Sequence, residues 1–130
     1  MNIIGSLLFA FALTGGLSSL TAASGEDLAT WVVDKGGKVT RDTASRITGI
    51  DLSYTWITDS DLDMLTGATD LRSLDLSFVR VTDRGIERLR ALTNIERLNL
   101  HSAEHITDFT LTYLRGWKNL RWLDLGGTDI

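Results

Sequence analysis

The sequence of 130 residues contains no cysteine. This absence excludes disulfide bonds, cysteine nucleophiles and thiolate metal ligands, but it is compatible with both reducing and oxidising compartments. The sequence also lacks the strings G-x-x-x-x-G-K-S/T and G-x-G-x-x-G, whose backbone amides bind phosphate groups in nucleotide-binding proteins. Thiol chemistry and the common nucleotide-binding loops are therefore excluded.

A strong positive charge is missing as well. The formal net charge is -4, and the 13 Lys and Arg residues are scattered along the chain rather than clustered. Proteins that bind nucleic acid usually present a basic patch or stripe, so no nucleic-acid partner is expected. Hydrophobic residues at 43% and charged residues at 23% are typical of a folded globular chain, and the length fits one domain.

The first 25 residues carry no charged side chain, and residues 3–13 form an apolar run. The run is too short to span a bilayer, and the small residues 21–23 follow it at the distance at which signal peptidase cleaves. We therefore expect residues 1–23 to be a signal peptide, and the mature protein to be secreted, periplasmic or attached to the cell envelope without membrane insertion. No Lys or Arg lies near Met1 as in most signal peptides, so an uncleaved anchor and a buried N-terminal helix remain alternatives.

Four six-residue segments align in the remainder of the chain. They are I-T-G-I-D-L from Ile47, L-R-S-L-D-L from Leu71, I-E-R-L-N-L from Ile95 and L-R-W-L-D-L from Leu120, with starts 24, 24 and 25 residues apart. A constant interval of roughly 20 to 29 residues indicates one structural unit repeated along the chain. Such a unit buries its apolar side only by stacking on its neighbours, so we expect a continuous core formed by Leu52, Leu76, Leu100 and Leu125.

The second half of each unit predicts a short helix. The triplets Ile57-Thr58-Asp59, Val81-Thr82-Asp83 and Ile106-Thr107-Asp108 each precede apolar residues at about three-residue spacing: Leu62 and Leu65, then Ile86, Leu89 and Leu92, then Leu111, Leu114 and Trp117. Thr and Asp at a helix start accept hydrogen bonds from free backbone N–H groups, and Asp also complements the helix dipole. Each unit is therefore predicted to contain a strand, a turn and a helix.

Residues 71–89, L-R-S-L-D-L-S-F-V-R-V-T-D-R-G-I-E-R-L, resemble the leucine-rich repeat family, in the variety that carries I-T-D before its helix. The resemblance covers residues 47–130. These residues are similar to the repeats of F-box substrate receptors and of exported bacterial leucine-rich repeat proteins. The F-box-attached form often carries Cys after the strand, where this sequence has Thr55, Val79, Ala103 and Thr128, and no F-box precedes the repeats.

The resemblance implies an α/β solenoid in which a curved parallel sheet carries helices on its convex side, with about three and a half repeats. It further implies a module that recognises another protein through its concave face, without naming that protein.

Residues 24–46 are expected to form an N-terminal cap. Ser24 and Asp27 have the spacing of a capping box at the start of a helix that runs to Lys35, and Gly36 with Gly37 should end it. Two short strands are predicted to follow, at residues 38–41 and from Arg46 onward.

At the other end of the sequence, the fourth unit lacks its helix. We expect a fragment, a truncated product, or a protein whose open edge is covered by a partner. The alternative function is thus a structural or regulatory fragment of a longer leucine-rich repeat protein that self-associates through its C-terminal end.

The string His101-Ser102-Ala103-Glu104-His105 matches the H-x-x-E-H motif of inverted zinc metallopeptidases. That chemistry requires both imidazoles on one helix face, whereas the repeat register puts His101 at a strand end and His105 in a turn. No metal, cofactor or catalytic residue is therefore expected, and the chain is predicted not to be an enzyme.

Strand alternation predicts three columns of side chains on the outer face of the sheet. The columns are Gly49, Ser73, Arg97 and Trp122; then Asp51, Asp75, Asn99 and Asp124; then Ser53, Ser77, His101 and Gly126. The residues expected to contact a partner are Asp51, Asp75, Arg97, Asn99, His101, Trp122 and Asp124. The aspartate column is either a docking stripe for a basic peptide or cation, or a solvated row hydrogen-bonded to neighbouring serines.

Three further tryptophans, Trp31, Trp56 and Trp117, are predicted to belong to the cap and the core rather than to a ligand site. Gly85, at a helix start, is predicted to allow close packing.

Overall fold

A computed structural model describes residues 24–130, which form an α/β fold with one five-stranded sheet. Residues 1–23, where the signal peptide is predicted, lie outside the described residues. No helix within the described range is long and apolar enough to cross a membrane.

The chain begins with helix α1, Gly25–Asp34. The Ser24 side chain accepts a hydrogen bond from the Asp27 amide and the Asp27 carboxylate accepts one from the Ser24 amide, which is the predicted capping box. Gly36 follows with a φ of +92°, a left-handed conformation that glycine adopts without a steric cost. The helix and its boundaries are therefore confirmed.

Five strands follow in the order in which they lie in the sheet. Strand β1 pairs with β2 in antiparallel orientation, and the other neighbouring pairs are parallel. The strands are β1, Lys38–Arg41; β2, Ile47–Asp51; β3, Ser73–Asp75; β4, Arg97–Asn99; and β5, Trp122–Asp124.

The register is the same at all three parallel junctions. Arg97 lies opposite Ser73 on one side and Trp122 on the other, and Asn99 lies between Asp75 and Asp124. At β2, Gly49 and Asp51 lie opposite Ser73 and Asp75. The register of the first two predicted columns is confirmed, because an interval of 24 or 25 residues returns the chain to the same position along the sheet.

Between each pair of parallel strands the chain forms a short helix. The first is a 3-10 helix, η1, Asp61–Leu65, and the others are α2, Asp83–Arg88, and α3, Asp108–Leu114. Thr82 and Thr107 cap α2 and α3 through their side chains, as predicted. At η1 the N-cap position is occupied by Ser60, whose side chain makes no cap bond. Thr58 instead exchanges hydrogen bonds with Asp61: its amide donates to the Asp61 carboxylate at 2.8 Å and its hydroxyl accepts from the Asp61 amide at 3.4 Å.

The aspartate after each capping threonine binds the following segment. Asp59 accepts hydrogen bonds from the Thr82 amide at 2.7 Å and hydroxyl at 2.6 Å. Asp83 accepts from the amide and hydroxyl of Thr107 and from the hydroxyl of Thr110, which is fully buried. These bonds join residues that are 23 to 27 positions apart in the sequence, a role that the capping pattern did not predict.

The hydrophobic core lies between the sheet and the helices. Leu52, Leu76 and Leu100 are fully buried, whereas Leu125 is half-buried. Trp117 is buried in the core and Trp31 packs against it, as predicted. The rest of the core follows the predicted periodicities, with Ile50, Leu74 and Leu98 from the strands and Leu62, Leu65, Ile86, Leu89, Leu92 and Leu114 from the helical half.

Two predicted core residues are exposed. Leu111 is 39% exposed although Ile86, at the corresponding position of α2, is fully buried. The difference arises because α2 packs between η1 and α3, whereas α3 has only α2 beside it among residues 24–130. The other exception, Trp56, is 81% exposed and lies in a turn after β2.

Candidate binding face of the sheet

One face of the sheet is not covered by a helix in the part of the chain that the structure describes. The strand residues that alternate with the buried leucines point to this side, because successive side chains of a strand point to opposite faces. We call it the open face and define it by Ser73, Asp51, Asp75, Arg97, Asn99, Trp122, Asp124 and His101, which lies two residues after the end of β4.

The acidic column closes the turns that end the strands. The Asp51 Oδ1 accepts a hydrogen bond from the Ser53 amide at 2.9 Å, and the Asp124 Oδ1 accepts one from the Gly126 amide at 2.8 Å. Asp75 does the same for the amide and hydroxyl of Ser77. Asp side chains that bond the backbone two residues on are a recurring turn device, so these carboxylates have a structural role beside any role in binding.

Asn99 separates the negative charges of this column. Its Nδ2 donates to the Asp75 Oδ2 at 3.0 Å, and its Oδ1 accepts from the His101 amide at 3.0 Å. Like charges directly opposite each other destabilise neighbouring strands. Asn99 therefore keeps the turn bond while avoiding two repulsive pairs, one with Asp75 and one with Asp124.

His101 and Asp124 form a polar pair at the edge of the open face, with the imidazole Nδ1 and the carboxylate Oδ1 3.4 Å apart. The pKa of Asp124 is lowered, first by the hydrogen bond from the Gly126 backbone and then by His101, against the opposing effect of burial. Both side chains are substantially exposed. His105 is exposed in the following turn, and residues 24–130 contain no cluster of three or more potential metal ligands.

Arg97 and Trp122 lie side by side on the open face. The Arg97 guanidinium carbon is 4.5 Å from the centroid of the Trp122 ring, and Trp122 is 38% exposed. A guanidinium over an indole face is a cation–π contact, worth about 0.5 to 1 kcal/mol at an exposed site. The two side chains therefore form one preassembled surface element.

Two positions of the predicted columns are not available to a partner. Gly49 is buried, because Thr40 of β1 covers it and a Cβ at Gly49 would lie 3.1 Å from the Thr40 Cβ. Ser77 is buried too, with its hydroxyl bonded to Asp75. The outer columns are thus open mainly over β3, β4 and β5.

Sequence analysis did not predict the exposed aromatic rings beside the open face. Tyr54 and Phe78 stack with ring centroids 4.4 Å apart and planes 9° from parallel, and the His101 ring follows at 5.5 Å from Phe78. Trp56 lies close by in the sequence, with the Arg80 guanidinium 5.4 Å from its ring centroid. We call Tyr54, Trp56 and Phe78 the aromatic strip.

The backbone explains why the two rings stack. Tyr54 and Phe78 have φ values of 59° and 57°, and their amides donate to the carbonyls of Ser77 and His101. These bonds keep the parallel spacing of about 4.8 Å beyond the strand ends. A left-handed conformation costs an aromatic residue on the order of 1 to 2 kcal/mol. The sequence did contain a signal for this stack, because Tyr54 and Phe78 are aromatic residues one 24-residue interval apart.

The sequence was compared with models of protein families and with curated proteins, and neither comparison found a match.

Proposed function

We propose that the chain is a leucine-rich repeat module that binds another protein through the open face of its sheet. The fold part of this proposal is supported by four segments at 24- or 25-residue intervals, by parallel strands in chain order with unchanged register, and by short helices on the far side of the core. Stacked units of one strand and one helical turn are the architecture of that family.

The observation that carries the binding proposal is the Arg97–Trp122 pair. Arg and Trp are enriched among the residues that dominate the free energy of protein association, particularly when they lie near the centre of an interface. Here both are exposed on neighbouring strands, and they are held together before any partner arrives. Preorganised side chains lose less conformational entropy on binding.

A binding role is better supported than a catalytic one. His101 and Asp124 are the groups closest to an acid–base pair on the open face, but both are substantially exposed. Asp124 is also bonded to the Gly126 amide. Catalytic groups usually work in a pocket that excludes water and orients the substrate, and an open sheet surface provides neither.

We further propose that the mature protein lies outside the cytoplasm. This part rests only on the apolar run and the small residues within residues 1–23. N-terminal sequencing of protein purified from cells tests this part. A mature chain that begins at Ser24 supports export, and a chain that begins at Met1 and remains in the cytoplasmic fraction contradicts it.

The binding proposal is tested with the double variant Arg97→Ala/Trp122→Ala of the full chain. We expect the affinity for a partner captured by the wild-type protein to fall at least about tenfold, since loss of interface hot spots costs roughly 2 kcal/mol or more. The matched control is Arg84→Ala/Phe109→Ala, which removes an exposed Arg and an exposed aromatic from the helices. Unchanged affinity of the first variant, with unfolding temperatures equal to wild type, would show that the open face is not the binding surface.

A second candidate function is self-association through the end of the sheet formed by β5. It is favoured by the exposed apolar side chains of Ile130, which follows β5, and of Leu111 on α3, the last helix before β5, and by the incomplete burial of Leu123 and Leu125. In this case the chain would act as a structural or regulatory fragment of a larger repeat assembly. Its test is the concentration dependence of the molecular mass.

A further inference from the structure

The aromatic strip exposes three large rings beside the open face. Trp56 is 81% and Tyr54 71% exposed, and Phe78 is exposed as well. Gly127 occupies the corresponding left-handed position after β5 with a φ of 73°. Glycine adopts this conformation without strain, so Tyr54 and Phe78 carry bulky rings where the backbone favours none.

We propose that the aromatic strip, together with the neighbouring aspartates, binds an arginine-containing segment of a partner protein. This inference rests on the proposed protein-binding function and specifies the chemistry of the partner. The guanidinium groups of that segment stack on the outer face of Tyr54 and on Trp56, because the faces of Phe78 lie against Tyr54 and His101, and they donate hydrogen bonds to the carboxylates of Asp51 and Asp75.

The first support is that arginine already occupies ring faces in this structure. Arg80 lies over Trp56 at 5.4 Å and Arg97 over Trp122 at 4.5 Å. Trp56 remains largely exposed in spite of its contact with Arg80, so part of its surface is free for a second guanidinium. Stacking on aromatic rings is a property of the planar guanidinium rather than of the lysine ammonium.

The second support is charge complementarity. Within residues 24–130, none of the ion pairs joins Asp51, Asp75 or Asp124 to a Lys or Arg side chain. The turn bonds of Asp51 and Asp75 hold these carboxylates in the turns that lead to Tyr54 and Phe78, three residues before each ring. An ionised carboxylate has about four acceptor sites. Asp51 uses one of them for its turn bond, and Asp75 uses three, for Ser77 and Asn99, so each carboxylate keeps acceptor capacity. The net charge of -4 favours the approach of a basic segment.

The position of the strip at the strand ends is consistent with an extended segment running across the sheet. The rings of Tyr54, Phe78 and His101 follow one another from β2 to β4, and the Asp124 carboxylate lies next to His101. A peptide crossing the strands in this direction passes one ring or carboxylate at each step of about 4.8 Å.

The experiment uses the full chain and a synthetic octapeptide of alternating Gly and Arg, with two comparison peptides in which citrulline or Lys replaces Arg. Citrulline keeps the planar shape of the guanidinium but carries no charge. NMR titration at low salt measures the dissociation constants. We expect the Arg peptide to bind at least about tenfold more tightly than the citrulline peptide and more tightly than the Lys peptide, and its affinity to fall as salt is added.

The variant that tests the site is Tyr54→Asn/Phe78→Asn. Asn tolerates a left-handed backbone better than most other non-glycine residues, so the variant removes both rings while the turns keep their conformation. We expect affinity for the Arg peptide to fall about twofold to fivefold, since an exposed cation–π contact contributes roughly that factor and the outer face of Tyr54 offers one such contact. Phe109→Asn, which removes an exposed ring from α3, is the control and should leave the affinity unchanged.

The inference is overturned if the Arg peptide does not bind, if the citrulline peptide binds equally well, or if Tyr54→Asn/Phe78→Asn binds the Arg peptide as wild type does. Binding of a neutral oligosaccharide to the strip in place of the Arg peptide would overturn it as well.

If the ring variant retains a captured partner that Arg97→Ala/Trp122→Ala loses, the open face still binds protein and only the arginine assignment fails. If both variants retain that partner, the proposed function fails with it.

Discussion

At the scale of single residues, Asp83 joins the start of α2 to the start of α3 through its side chain. Its carboxylate accepts from the Thr107 amide, the Thr107 hydroxyl and the Thr110 hydroxyl. Thr110 is fully buried, so its hydroxyl depends on this acceptor. A buried polar group that loses its only partner destabilises the fold by its desolvation cost.

We therefore expect Asp83→Ala to lower the free energy of unfolding by about 1 to 3 kcal/mol. The matched control is Asp108→Ala, because Asp108 also begins a helix but no hydrogen bond to its carboxylate is seen among residues 24–130. Both variants lose the same favourable contact with a helix dipole, so their difference isolates the hydrogen bonds. Urea unfolding measures both, and equal losses would contradict the role assigned to Asp83.

The same carboxylate predicts a pH dependence. Burial alone raises the pKa of Asp83, but the hydrogen bonds from Thr107 and Thr110 outweigh it, and the pKa lies below its ordinary value of 3.8. A lowered pKa in the folded state stabilises the fold above the ordinary pKa, and this contribution is lost as pH falls through the folded-state value.

This pH dependence is tested by measuring the free energy of unfolding in urea for wild type and for Asp83→Asn at a series of pH values. We expect the difference in free energy of unfolding to be constant between about pH 7 and 5 and to shrink below about pH 4. If the difference in free energy of unfolding between the two proteins stays the same down to about pH 2, or grows, the ionised carboxylate does not contribute to stability.

At the scale of elements, the packing of η1 against α2 requires a residue without a side chain. A Cβ at Gly85 would lie 2.6 Å from the Asp59 Oδ1 and 2.9 Å from the Leu62 Cδ1. The Asp59 Oδ1 is the acceptor of the Thr82 amide, which precedes α2. The predicted packing role of Gly85 is thus confirmed, and the structure adds that Gly85 makes room for a hydrogen bond between segments.

Gly85→Ala is expected to destabilise the fold by about 1 to 3 kcal/mol, because overpacking outweighs the intrinsic helix preference of alanine. Gly116→Ala provides the control, since a Cβ there meets nothing within 4 Å. We expect that control to be neutral or slightly stabilising in thermal unfolding. If the two variants unfold at the same temperature, the close contact at Gly85 is relieved at no cost.

At the scale of the whole molecule, the sheet and its register were predictable, and the turns were not. The interval between Leu71 and Ile95 sets the register of β3 and β4, and period-two alternation sets which side chains face outward. The aromatic strip was missed because Tyr54 and Phe78 lie in turns with positive φ, outside strand and helix periodicity. The bonds of Asp83 were missed because they join positions that are close only after the segments stack.

The end of the sheet at β5 gives a prediction for the isolated protein. Strand β5 has a neighbour on one side only among residues 24–130, and Leu123 and Leu125 are incompletely buried. Uncovered strand edges offer unpaired N–H and C=O groups to another chain. We expect residues 120–130 either to exchange amide hydrogens rapidly or to mediate a concentration-dependent increase in mass by light scattering. A monomer with strongly protected amides throughout residues 120–125 would contradict both.

The most direct measurement of the central proposal is site-specific photo-cross-linking in the native cells. A benzophenone amino acid replaces Trp122 on the open face in one variant and Phe109 on α3 in another, so that each probe substitutes for an exposed aromatic side chain. We expect the probe at position 122 to cross-link a distinct partner protein, and that cross-link to disappear when Arg97→Ala is added. A partner cross-linked only from position 109, or equally from both positions, would contradict binding through the open face.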